Sequence, residues 1–161
     1  MSDTTTGEQA EQHLTFVIGT EQCAVSILQV REILRYEQIT PVPTAPHAVR
    51  GVLNLRGRVV PVIDPAVRFG RAASEVTRLS CIVIVETSQE GESCVMGLLV
   101  DSVSQVLELA AADIEPVPAF GSGVQVDFLR GLARQGNRFA LLLDLDRVLD
   151  HSQLSAADAA A

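Results

Sequence analysis

Lysine is absent from this chain, and all twelve basic residues are arginine. That removes the Walker A phosphate loop, whose chemistry needs a Lys reaching the β- and γ-phosphates. Tryptophan is absent too, and aromatic residues are only 4 % of the 161, so the core has to be built from aliphatic side chains. Cysteine occurs three times, at Cys23, Cys81 and Cys94. An odd count without close spacing argues against a disulfide framework and against a zinc site; small buried hydrophobes in a reducing compartment are expected instead. No G-x-S-x-G elbow occurs, and Gly121-Ser122-Gly123 reads as a loop. The three histidines, His13, His47 and His151, are far apart in sequence. Neither a catalytic site nor a metal nor a cofactor is expected, although a Cys–His pair brought together by the fold stays open. No segment approaches the roughly 20 apolar residues of a membrane span, and residues 1–12 are too polar for a signal peptide. The expected location is the cytoplasm, with membranes met only through a partner.

The net charge is −8, unevenly spread. Asp3, Glu8, Glu11, Asp150 and Asp158 lie in the tails, so the body is close to balance. A balanced body with acidic ends is a poor binder of nucleic acid, which needs clustered positive charge.

What is present is a series of short β-type runs. Leu14, Phe16 and Ile18 alternate with polar or small residues, as a half-buried strand does. Further runs are Cys23–Leu28, Val52–Leu55, Val59–Ile63, Ser80–Val85, Cys94–Val100 and Phe139–Leu143, separated by Gly, Pro and polar breakers such as Thr87–Glu92. Val- and Ile-rich runs at this spacing predict an all-β fold with short helices, here at Pro65–Phe69 and Leu145–Leu149.

The marks also repeat. Val30, Ile33 and Leu34 return as Val103, Val106 and Leu107; Pro41-Val42-Pro43 as Pro116-Val117-Pro118; Arg50-Gly51 as Arg130-Gly131; Arg58 and Asp64 as Arg138 and Asp144. The order is the same in both copies, which predicts two similar small barrels packed together. In each copy two strands flank a tight turn, Arg56-Gly57 in the first and Gly136-Asn137 in the second. Asp64 and Asp144, each before a helical stretch, are expected to cap it. The expected organisation is a disordered tail over 1–12, a domain over 13–150 made of barrels at roughly 13–85 and 86–150 with room for strand or helix exchange, and a tail over 151–161 open to a helical extension.

The run from Gly51 to Asp64, GVLNLRGRVVPVID, resembles the central motif of CheW-like domains. Ile27–Ile33 resembles their receptor-facing segment, Pro41–Pro46 the linker after it, and Gly97–Val103 and Leu129–Leu132 their later motifs, so the likeness spans about residues 14–150. The resemblance implies two SH3-like five-stranded β-barrels. It also implies a non-catalytic adaptor that joins the cytoplasmic tip of a chemoreceptor to the regulatory domain of the CheA histidine kinase. A scaffold of a receptor–kinase system for pili or development is the alternative. By the same resemblance Val30 and Ile33 are apolar groove contacts, Glu32 and Arg56 are important for receptor binding, and Gly51 and Asn54 belong to the same site. From the residues alone, Val30 and Ile33 read as core and Arg56 as a solvated turn residue. The kinase-contact residues match no motif and stay unassigned.

Overall fold

The computed structural model describes residues 10–37, 39–118 and 126–150. Most of both expected tails and the Gly121-Ser122-Gly123 loop lie outside these residues. The strands are β1 (Glu11–Ile18), β2 (Glu21–Ser26), β3 (Val30–Arg35), β4 (Val49–Leu55), β5 (Arg58–Ile63), β6 (Cys81–Gln89), β7 (Glu92–Val100), β8 (Ser102–Leu109), β9 (Ile114–Glu115), β10 (Leu129–Gln135) and β11 (Arg138–Leu143). Two one-turn helices, α1 (Pro65–Arg68) and α2 (Leu145–Val148), follow β5 and β11. Among the described residues no helix is long and apolar enough to cross a membrane.

Local chemistry corrects two boundaries. The Cys23–Leu28 run ends as a strand at Ser26, because the Ser26 hydroxyl accepts the Leu28 N–H and turns Ile27–Gln29 into a 3-10 helix. The polar stretch Thr87–Glu92 does not interrupt the sheet: β6 and β7 run through it and reverse at Glu90-Gly91, both at positive φ.

The strands form two curled sheets, in the orders β3-β6-β7-β5-β4 and β8-β1-β2-β11-β10-β9. These are the two SH3-like barrels, with the two-residue β9 added to the second. The repeat is exact where it matters. Strands β4 and β5 and helix α1 recur 80 positions later as β10, β11 and α2, and each sheet has a parallel contact, β5 with β7 and β11 with β2, that includes the corresponding residues Val62 and Leu142. In sequence, each repeat opens with a hairpin: β1–β2 in the first and β6–β7 in the second. In space the hairpins are exchanged. Hairpin β1–β2 pairs with β8 and β11 of the second repeat, and β6–β7 pairs with β3 and β5 of the first. The sheet boundaries therefore fall between β2 and β3 and between β7 and β8, not near residue 85.

Strand alternation distributes the core. Leu14, Phe16 and Ile18 of β1, Val83 and Val85 of β6 and Leu98 of β7 meet in the largest cluster, between the barrels. The intervening residues fill the barrels. Leu53, Val60, Val62, Ile82, Ile84 and Leu99 fill the first; Ala24, Leu109, Ala133, Ala140 and Leu142 fill the second. Burying each aliphatic side chain is worth about 1.5–3 kcal/mol, so the seam carries much of the stability and the barrels are held as one body. Asp64 and Asp144 cap their helices, accepting from the N–H of Ala66 at 3.1 Å and of Arg147 at 3.4 Å.

Candidate functional site

Strand β3 lies at the edge of its sheet, and a bulge sets what it displays. Val30 pairs with Val85, Glu32 with Ile84 and Ile33 with Val83, so Arg31 is the extra residue. Paired residues share a face. Val83 and Val85 belong to the inter-barrel core, while Ile84 lies inside the barrel. The bulge thus puts both Val30 and Ile33 on the inter-barrel side and leaves Glu32 on the barrel side. Val30 is half-buried and packs against the core between the barrels. Ile33 is 44 % exposed on that same face. Strand β8 repeats the device: Leu14 faces Val106 and Phe16 faces Val103, with Ser104 as the extra residue. Sequence spacing did not reveal either strand, since the extra residue breaks the alternation.

Beside this edge, Arg56 donates a hydrogen bond to the Glu32 carboxylate. Arg56 and Gly57 form the two-residue turn between β4 and β5, with φ of 51° and 86°, the pattern of a type I′ hairpin. Positive φ is uncommon for a residue with a Cβ, so the turn holds the Arg56 side chain out at the end of the barrel. The Asn54 side-chain oxygen accepts the Gly57 N–H at 2.9 Å and fixes that turn. The Glu32 hydrogen bond and charge push the Arg56 pKa up, so the guanidinium is a permanent cation. A small cavity of about 340 Å³ lies here, lined by Arg31, Glu32, Leu55, Arg56, Arg58, Ile84 and Val95.

The six expected site residues therefore separate. Val30 and Ile33 share one face, and Glu32 and Arg56 are joined beside it. Asn54 is spent on the turn. Gly51 is buried, and a Cβ there would sit 2.4 Å from the Thr40 carbonyl oxygen. It permits the close approach of Thr40 to Val52, joined by two backbone hydrogen bonds, and offers almost no surface of its own.

Two residues beyond that set belong to the same region. Leu28, on the turn leading into β3, is 84 % exposed, an apolar side chain with nothing over it. Glu86 accepts from the Ser93 hydroxyl and from Arg31. The Ser93 bond first, then the Arg31 bond, hold the Glu86 carboxyl below its ordinary range. Nothing in the sequence links residues 31, 86 and 93; the exchange of the second hairpin into the first barrel brings them together.

The other barrel differs at this end. By the repeat, Glu32 corresponds to Gln105 and Arg56 to Gly136. There the same end of the barrel opens into a cavity of about 1110 Å³, lined among others by Val17, Gln22, Gln105, Gln135, Arg138 and Phe139. The two barrel ends thus differ about threefold in cavity volume.

Nucleophile chemistry finds little footing. Cys23 is buried, and burial, then the Glu21 charge, push its thiol pKa up, so it stays protonated. His13 is buried, with Nδ1 3.1 Å from the Glu11 carbonyl oxygen. Among the described residues no group of three or more His, Cys, Asp or Glu is placed to hold a metal.

Paired SH3-like barrels, with an apolar strand edge beside a charged turn, make up the described chain. The chain matches the CheW-like domain over residues 12–153, and it belongs to that family. It is 37 % identical over 156 residues to the chemotaxis protein CheW of Rhizobium meliloti, covering 92 % of this chain and 98 % of that one. It is 33 % identical over 148 residues to the chemotaxis protein CheW of Klebsiella aerogenes, covering 92 % and 87 %. The crystal structure of the scaffolding protein TtCheW from Thermoanaerobacter tengcongensis superposes with a TM-score of 0.76 at 29 % identity, covering 86 % of this chain and 92 % of that one.

Proposed function

We propose that this chain is a cytoplasmic scaffold of a chemotaxis signalling complex, joining the helical tip of a chemoreceptor to the regulatory domain of a CheA-type histidine kinase. It makes and breaks no covalent bonds. The observation that carries the receptor assignment is the bulged edge of β3. It sets Val30 and Ile33 side by side on the inter-barrel face, and it leaves Glu32 bonded to Arg56 at the rim. A helix laid along this edge buries its apolar stripe on Val30, Ile33 and Leu28. The charged pair at the rim then fixes direction and excludes partners of the wrong charge, the usual contribution of such groups to recognition. Gly51 and Asn54 shape the site from beneath without touching the helix. The barrel ends are left for the like-folded kinase domain.

The absence of chemistry is supported by how the titratable groups are spent. Glu32, Glu86, Asp64 and Glu21 are each held by an arginine, and the one fully buried thiol is kept protonated. Sedimentation of the full chain with a soluble receptor hairpin fragment, and separately with the kinase regulatory domain, tests the proposal. Binding to both supports it; binding to neither removes it.

A further inference from the structure

We infer that two copies of this chain can trade repeats, residues 11–68 of each copy pairing with 81–148 of the other to form a swapped dimer. The reason lies in the exchanged hairpins. Neither repeat completes a sheet alone, since β1–β2 is held by β8 and β11 and β6–β7 by β3 and β5. Every pairing between the repeats can be made equally by the repeat of another copy, so the swapped and unswapped forms contain the same strand pairs and the same core. They differ only in the connection between repeats and in concentration.

That connection, residues 69–80, contains no strand, and most of it is fastened down. The Arg71 N–H bonds the Ala66 carbonyl, and its guanidinium bonds Glu21. Ser74 is held on the first repeat by three bonds: its N–H and hydroxyl donate to Asp64, and its carbonyl accepts from Arg50. On the other side, the Thr77 N–H donates to the Ser80 hydroxyl and the Leu79 N–H to the Thr77 hydroxyl, fixing this segment to the start of β6. Only Glu75 and Val76 are left between the two anchors. They make no hydrogen bond among the described residues, and Val76 is 41 % exposed. A connection twelve residues long thus acts as a hinge of two, and short hinges are the ones that favour exchange between copies. Asp144, the counterpart of Asp64, caps α2 and faces Arg147.

The test uses full-length chain carrying Gln12→Cys and Glu108→Cys, exposed partners across β1 and β8, with the partly exposed native thiols removed by Cys81→Ser and Cys94→Ser. The protein is refolded at micromolar and at millimolar concentration and oxidised with diamide. Monomer and dimer are separated by size, then run on a denaturing non-reducing gel. In a swapped dimer residue 12 of one copy bonds residue 108 of the other, so the dimer survives denaturation; in the monomer the bond is internal. The expected result is a covalent dimer whose share rises with refolding concentration. Deleting Glu75 and Val76 raises it several-fold, and inserting Gly-Ser-Gly-Ser between them lowers it. The inference is overturned if the native-length chain gives no dimer at millimolar concentration, or if its dimers fall to single chains in denaturant. The native-length chain decides this even where the deletion does not fold.

Discussion

Arg56 reaches across the end of the first barrel and donates to Glu32, 24 residues earlier in the chain. The pair sits in the open, with Arg56 73 % exposed, and solvent-exposed pairs add little to stability. In the proposed function its value lies in recognition. Arg56→Ala is expected to weaken receptor-tip binding at least tenfold and leave the unfolding midpoint unchanged. Arg56→Gly is expected to weaken binding equally while raising the midpoint slightly, because Gly takes the positive φ of 51° without strain. Isothermal titration and thermal melts of the two variants check both halves. A variant that lost stability but kept binding would take Arg56 out of the site.

Leu28 is 84 % exposed on the turn before β3, so folding gains almost nothing from it. Leu28→Asp is expected to leave stability within about 0.5 kcal/mol and to cut receptor binding several-fold, with kinase-domain binding unchanged. A denaturant melt and two binding titrations read these quantities.

Gly51 is expected to answer in the opposite sense. A methyl group there would meet the Thr40 carbonyl oxygen at 2.4 Å, at a φ of +154°. Gly51→Ala is expected to cost about 2 kcal/mol or more of stability through backbone displacement. Gly57→Ala, where a Cβ meets nothing within 4 Å, carries only the left-handed backbone penalty of about 1–2 kcal/mol. Urea melts of the two variants rank the positions, and equal losses would contradict the packing role of Gly51.

The Glu86 carboxyl is held below its ordinary value of 4.5 by Ser93 first and Arg31 next. A group whose pKa is lower folded than unfolded stabilises the fold above its unfolded pKa. That contribution is lost as pH falls through the folded value. Below about pH 4.5, stability is therefore expected to fall less steeply in Glu86→Gln than in the parent. Chemical denaturation at several acidic pH values measures the slope, and parallel curves would refute the linkage.

The architecture was legible because it is written twice. Leu14, Phe16 and Ile18 show the bare alternation of a strand facing one core, and the ordered marks from Val30 to Asp64 return in the second half at the positions the two barrels need. The caps at Asp64 and Asp144 and the turn at Arg56-Gly57 follow from local chemistry alone. Strands β3 and β8 did not show. Their bulges place Val30, Ile33 and Leu34 at intervals of three and one, which do not alternate. Which hairpin pairs with which repeat was equally hidden, since both hairpins have the same pattern and only three-dimensional closure selects the exchange. The site divided along the same line. The resemblance supplied Val30, Glu32, Ile33 and Arg56. The separate duties of Gly51 and Asn54, and the Arg31–Glu86–Ser93 group, depend on contacts across distant strands.

The most direct test of the central claim is titration of a receptor hairpin fragment into the full chain and into Ile33→Glu, with the kinase regulatory domain as the second ligand. Ile33 is 44 % exposed at the sheet edge, so a carboxylate there is tolerated by the fold and intolerable to an apolar helix face. The account predicts that receptor affinity falls by tenfold or more while kinase affinity and the melting temperature hold. Receptor binding as tight as that of the parent chain, in a properly folded variant, would place the receptor site elsewhere.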